Sequence, residues 1–374
     1  MAKFENREKL INWKNPFDRE NTSEIFIQSM KEVLKHHSDN NAFFNQLLKR
    51  ENFSIDSLKT EEDLALIPMI PANFFKTYES LSMPREDIAV HLTSSGTTGQ
   101  KSQMFFDQDS WDFGQSMVYA NFEYNNFVST ESTNCIVFNY EPIPGLALGT
   151  AKTNQGMLKY APVNEVFYAL RYNGHAHDFD AFGTINKLRE YEKEGKPVRI
   201  FGFPSFLYFT INQMMELKQE PLHLHPDSMA VFGGGWKGYA QKQIPKAEFF
   251  PLITKMLGIK GERIRDGYGS TEHSVPYMEC SHHHFHVPIY SRLFVRDVKT
   301  LEVLPYGKPG FANFVTPHLL SVPALSVLMG DLVVAHPATE CGCDRTTPYF
   351  EILGRAGTSS TKSCAIAASE LLKR

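Results

Sequence analysis

Three short apolar runs set the strongest constraint on this chain: N-C-I-V-F-N-Y (134–140), V-R-I-F-G-F (198–203) and M-A-V-F-G-G-G (229–235). They lack the alternation of a half-exposed strand, and polar stretches of helical spacing separate them. That is the pattern of a sheet buried under helices. The fold class expected is therefore α/β. Before about residue 88 the chain reads as mostly helical and charged, with S-E-I-F-I-Q-S-M-K-E-V-L-K (23–35) as an example and Ser23 as its expected N-cap. After about residue 287, strand-like segments such as L-F-V-R-D-V and D-L-V-V-A dominate. With 374 residues there is chain enough for one large domain and an appendage, or for two domains.

Charge narrows the partners. The formal net charge is −4 and no long basic run occurs, so nucleic acid and anionic membranes are not expected partners. No stretch approaches the roughly 18 apolar residues of a membrane span, and the charged start M-A-K-F-E-N-R-E-K-L is unlike a signal peptide. A cytoplasmic location is the expectation. A homo-oligomer is compatible with the sequence. The cysteines number five, odd and sparse, which argues against a disulfide framework and leaves metal binding or thiol chemistry open.

One segment is built for anions. T-S-S-G-T-T-G-Q-K-S (93–102) follows the apolar run I-A-V-H-L and combines six hydroxyl residues with two glycines and a lysine. Backbone N–H groups of such a turn, the hydroxyls and the Lys101 ammonium can converge on a polyphosphate. It is not a Walker A loop, because Gly96 and Gly99 are three apart and one residue separates Gly99 from Lys101. A second cluster, F-G-G-G-W-K-G-Y, has G-x-G-x-x-G spacing at Gly233, Gly235 and Gly238. The following I-K-G-E-R-I-R stretch supports a dinucleotide fingerprint poorly, so the glycines are read as a place where a flat ligand approaches the backbone.

Two further motifs complete a series: D-G-Y-G-S-T-E-H (266–273), then M-G-D-L with Asp331 and G-R at Gly354 and Arg355. In order and approximate spacing the series resembles the acyl-adenylate-forming superfamily over nearly the whole chain, and P-S-F-L with Y-G-S-T-E is similar to its phenylacetate-CoA ligase branch. The resemblance implies an adenylate-forming large domain over 1–352, with 1–88 its largely helical part. It implies ATP and Mg²⁺ as cofactors. Thr93, Ser94, Ser95, Gly96, Thr97, Thr98, Gly99 and Lys101 would hold the β- and γ-phosphates, Thr271 the α-phosphate and Glu272 the Mg²⁺. Asp331 would bind the ribose and Arg355 would reach the nucleotide from the hinge. Gly233, Gly234, Gly235, Tyr268 and Gly269 would lie near adenine.

Superfamily members usually continue into a small domain that carries a catalytic lysine, whereas here about 20 residues follow Arg355. Residues 353–374 are therefore expected to form a hinge and a short arm, S-T-K-S-C-A-I-A-A-S-E-L-L-K-R, with Cys364 as acyl acceptor. Extended, the ten-residue step from Gly354 to Cys364 reaches about 33–36 Å. Lys362 or Lys237 would stand in for the missing lysine, or a partner subunit would complete the site. Together these features resemble the long-chain acyl-protein synthetase family of the bacterial fatty acid reductase complex. That resemblance implies ATP-dependent activation of a long-chain fatty acid as acyl-AMP and transfer to Cys364. Delivery would follow to an acyl reductase making fatty aldehyde for luminescence, with an acyl transferase as a further partner. The alternatives are an aryl- or acyl-CoA ligase and a non-catalytic acyl carrier.

Two features stand outside this scheme. Cys280, in C-S-H-H-H-F-H, and the later C-G-C-D with Cys341 and Cys343 could close a tetrahedral Zn²⁺ site with His286, His284 and His283 being alternatives for the histidine. The run F-G-F-P-S-F-L-Y-F (201–209) either lines an acyl channel or packs in the core.

Overall fold

The computed structural model describes residues 4–93, 102–143, 156–236 and 238–355. The helices, in chain order, are α1 Glu5–Ile11, α2 Arg19–Asn40, α3 Ala42–Arg50, α4 Phe74–Thr77, α5 Gln108–Tyr124, α6 Ala181–Glu194, α7 Pro204–Glu216 and α8 Lys246–Leu257. The strands are β1 Ile70–Pro71, β2 Ile88–Thr93, β3 Gln103–Asp107, β4 Thr133–Tyr140, β5 Val163–Tyr172, β6 His177–Phe179, β7 Val198–Gly202, β8 Met229–Phe232, β9 Ile264–Tyr268, β10 Tyr277–Met278, β11 Phe285–His286, β12 Arg292–Arg296, β13 Pro309–Val315, β14 Ser326–His336 and β15 Tyr349–Arg355. The chain divides into two compact units. One holds Met1–Tyr124, Gly269–Tyr277 and His284–Arg374, the other Asn125–Tyr268 and Met278–His283.

The second unit is the one the apolar runs foretell. Its sheet has the order β10-β9-β8-β7-β4-β5-β6, with β5, β4, β7, β8 and β9 mutually parallel and β6 antiparallel on β5. Parallel neighbours require crossovers. α6 precedes β7, α7 links β7 to β8, and α8 links β8 to β9. β7 and β8 are buried at every position, so their side chains pack on both faces, and Ile136, Phe138, Ile200, Phe203, Leu207, Ile211 and Phe249 share one core.

Gly202 ends β7 at φ 116°, and a Cβ there would meet the Phe138 carbonyl oxygen at 2.4 Å. Only glycine allows that approach. Pro204 then opens α7 at its first turn, where no amide hydrogen is needed. The aromatic run is thereby split. Phe201, Phe203 and Leu207 are core, whereas Tyr208 and Phe209 border a largely polar cleft of about 510 Å³ with Asn212, Gln213, Glu216 and Lys242. The polar lining does not favour an acyl channel at that cleft.

The first unit is built on an antiparallel sheet of order β11-β15-β14-β13-β12, with β1 parallel on β14. β2 and β3 form a separate antiparallel pair. The helical N-terminal part is present as α1 to α4, but its capping differs from expectation. α2 begins at Arg19 with Asp18 as N-cap, its carboxylate accepting from the Asn21 N–H. Ser23 lies inside the helix and its hydroxyl instead donates to Glu61. Asp18 takes one of the orphaned first-turn donors, that of Asn21. Glu61 also pairs with Arg19 and with the buried Arg292, so Ser23 feeds an ion-pair network.

Candidate active site

In the first unit the structure describes the two ends of the hydroxyl-rich segment 93–102, Thr93 and Ser102. Thr93 closes β2 and lies opposite Gln103 of β3. Ser94, Ser95, Gly96, Thr97, Thr98, Gly99 and Lys101 lie outside the described residues, as do Lys237, Lys362 and Cys364. Immediately after them Ser102 is fully buried, and its hydroxyl donates to Glu272 Oε1 at 2.5 Å. Glu272 is itself only 4% exposed. A buried carboxylate needs compensation, and here a hydroxyl from the end of the anion loop supplies part of it.

The segment carrying Thr271 and Glu272 is a tight turn. The Ser274 N–H donates to the Ser270 carbonyl at 2.9 Å, Ser274 Oγ to the Thr271 carbonyl at 2.6 Å, and the His273 N–H to Ser270 Oγ at 3.1 Å. His273 is then anchored in a triangle with Tyr277 Oη at 2.7 Å and Ser291 Oγ at 3.2 Å, and stacks on Phe314. Burial holds the His273 imidazole well below its usual range and Tyr277 well above its own. Both rings stay neutral at ordinary pH, so His273 is anchored without adding a second charge beside the buried Glu272.

The same turn rests on β14, where Ser270 Oγ lies 3.9 Å from the Met329 sulfur, two residues before Asp331. Asp331 and Arg355 are directly opposite on β14 and β15, and Arg355 Nε lies 3.5 Å from Asp331 Oδ1. A bulge between Leu332 and Val333 sets this register. Thr93, Thr271, Glu272, Asp331 and Arg355 thus all belong to the first unit, as does Gly269.

Gly233, Gly234, Gly235 and Tyr268 belong to the second unit, at the ends of the parallel β8 and β9. Gly234 has φ 79°, and a Cβ there would press on the Phe203 ring at 2.8 Å. The G-x-G-x-x-G spacing is not a dinucleotide fingerprint, because α8 starts only at Lys246, beyond Gly238. Nearby, Lys246 Nζ bridges Asp266 at 2.8 Å and the fully buried Glu279 at 2.5 Å, while Glu279 also accepts from the Asp266 N–H at 2.7 Å. Burial, with Glu279 beside it, raises the Asp266 carboxyl despite Lys246.

Comparison with known proteins decides what these elements belong to. The family model "Acyl-protein synthetase, LuxE" matches residues 6–373. The chain belongs to the acyl-protein synthetase (LuxE) family. Two relatives are named long-chain-fatty-acid--luciferin-component ligase. That of Vibrio harveyi is 25% identical over 343 residues, 91% of this chain and 86% of its own. That of Aliivibrio fischeri is 24% identical over 375 residues, 95% of this chain and 90% of its own. Among solved structures, 2-hydroxyisobutyryl-CoA ligase in an open conformation with 2-HIB-AMP and CoA superposes with a TM-score of 0.68 at 14% identity, over 92% of this chain and 72% of that one. Its postadenylation state gives 0.67, also at 14% identity, over 96% and 74%. The fold of this acyl-protein synthetase family member is therefore that of the adenylate-forming ligases.

Sequence reasoning overlooked three residues. Ser102 was part of the hydroxyl-rich loop but had no role until Glu272 folded onto it. Ser291 and Phe314, which lock His273, carry no local signal at all.

Proposed function

We propose that this acyl-protein synthetase family member activates a long-chain fatty acid with ATP and passes the acyl group to its own Cys364. In the first step a carboxylate oxygen of the fatty acid attacks the α-phosphorus, the bond to the departing pyrophosphate breaks, and acyl-AMP forms. In the second, the Cys364 thiolate attacks the acyl carbon, AMP leaves with the carbonyl-to-phosphate oxygen, and a thioester remains. Delivery to an acyl reductase, with an acyl transferase in the same system, and a cytoplasmic setting are part of this reading.

The observation that carries it is the buried Ser102–Glu272 contact. It holds a carboxylate at the exit of the anion loop, in a turn that also presents Thr271. Glu272 and Ser102 are hard oxygen donors that fit Mg²⁺, which when bound would neutralise phosphate charge. Asp331 would accept from the ribose hydroxyls while Arg355, paired to it, orients that carboxylate. The Gly233–Gly235 backbone and Tyr268 would flank adenine.

Cys364 is supported by its setting in the sequence and by the other thiols. Cys135 is fully buried in β4 and burial pushes it up to about 11, so it is almost wholly protonated at neutral pH. Cys280 and Cys341 are buried too.

The test combines fatty-acid-dependent exchange of label between pyrophosphate and ATP with covalent labelling by radioactive fatty acid. Cys364→Ser should keep the exchange and lose the label on the protein. Label persisting on that variant would remove Cys364 from the mechanism, and absence of exchange in the native chain would remove adenylation.

A further inference from the structure

The adenylation chemistry leaves a Cys/His cluster of the first unit unused. His286 closes β11 and faces Tyr349 of β15, while Cys341 and Cys343 sit in the turn before β15. Cys343 Sγ lies 3.3 Å from His286 Nε2, and the ligand atoms of His286, Cys341 and Cys343 are all within 4.8 Å of one another. Around a tetrahedral zinc, bonds of about 2.3 Å to sulfur and about 2.0–2.1 Å to nitrogen place neighbouring ligand atoms roughly 3.5–3.8 Å apart. The cluster is within reach of that spacing. His286 and Cys341 are 1% and 5% exposed.

The orientation of His286 is the second observation. Its Nδ1 lies 2.6 Å from the Thr347 carbonyl oxygen. A carbonyl only accepts, so the proton sits on Nδ1 and Nε2 turns its lone pair toward the thiols. Imidazoles that bind metals are held in this way, by a hydrogen bond from the nitrogen remote from the ion.

We propose that His286, Cys341 and Cys343, all of the first unit, bind one structural zinc ion. The thiols bind as thiolates and release their protons to solvent. Sulfur and imidazole donors select zinc over magnesium or calcium. Cys280, six positions before His286 in the sequence, is one candidate for the fourth ligand. The competitor is His284, whose Nδ1 lies 3.1 Å from Cys341 Sγ. The ion would staple the turn before β15 to β11. The proposal stands independently of the acyl-transfer reading.

The full chain, expressed with zinc supplied and desalted, should carry one zinc per chain by elemental analysis. Replacement by Co²⁺ should give an intense thiolate-to-cobalt charge-transfer band. Both readouts use the native protein, so no variant has to fold. Cys341→Ser and Cys343→Ser should lose the metal and Cys135→Ser should keep it. Weakening of the cobalt band in Cys280→Ser but not in His284→Ala makes Cys280 the fourth ligand, and the reverse makes it His284. A folded chain that takes up neither zinc nor cobalt overturns the site, leaving three thiol and imidazole groups joined by hydrogen bonds alone.

Discussion

Ser102 and Glu272, 170 residues apart, meet side chain to side chain at 2.5 Å in a fully enclosed position. The contact ties the end of the anion loop to the carboxylate expected to serve the metal-bound triphosphate. Hydrogen bonds to a charged partner contribute about 1.5–3 kcal/mol, and each 1.36 kcal/mol is about tenfold in rate. Ser102→Ala should therefore lower kcat/KM for adenylation roughly ten- to a hundredfold, and Ser102→Thr should recover part of it. The pyrophosphate exchange rate, measured across Mg²⁺ concentrations, reads the effect. An unchanged rate in Ser102→Ala would detach Glu272 positioning from catalysis.

Asp331 and Arg355 permit a separate dissection of nucleotide binding. Asp331→Asn should raise KM for ATP about tenfold or more, the loss of one charged hydrogen-bond acceptor. The Arg355 side chain is 60% exposed, so solvent weakens its ion pair. A double-mutant cycle on thermal stability should return a coupling below about 1 kcal/mol. A larger coupling would make the pair a structural brace instead of a nucleotide contact.

Gly202 should tolerate nothing larger. Gly202→Ala forces a positive φ on a residue with a Cβ and drives that atom against Phe138. The expected loss is about 1–3 kcal/mol or more, read as a lower melting temperature. Gly233→Ala, where a Cβ meets nothing within 4 Å, is the matched control and should cost little stability.

Acid should destabilise the first unit in a definite window. Burial lowers His37 to about 3 and His318 to about 3, well below an unfolded value near 6.5. The unfolded chain then binds more protons between those values, so stability is complete above about pH 6.5 and falls as pH drops toward 3. Glu61 adds to this at lower pH. Burial opposes its ionisation, but Arg292 and Arg19 outweigh that and bring it to about 2, so its share is present above about 4.5 and fades below. The melting temperature should fall steadily from pH 7 to pH 4, and His37→Gln, which removes one such group, should flatten the slope. A melting temperature independent of pH over that range would contradict the neutral burial of both rings.

The second unit was largely legible in its local sequence. N-C-I-V-F-N-Y, V-R-I-F-G and M-A-V-F are β4, β7 and β8 because an unbroken apolar run has to be covered on both faces, and Gly202 with Pro204 marks the strand-to-helix step. The first unit was less so. Ser23 reads as a helix start, yet the N-cap lies five residues earlier at Asp18, which caps the Asn21 amide, while Ser23 donates to Glu61, a partner 38 residues away that its local sequence does not show.

The sequence alone determined the alternation of elements, the order of the motifs that carry the family resemblance and the residue types they contain, because each depends on neighbours a few positions away. Tertiary structure decided which of them meet: Ser102 with Glu272, Asp331 with Arg355, and the Thr347 carbonyl with His286 Nδ1. Strand register and the burial of a polar atom are settled by packing between distant segments, and a hydrogen-bond partner that is set by packing leaves no periodic trace in the chain.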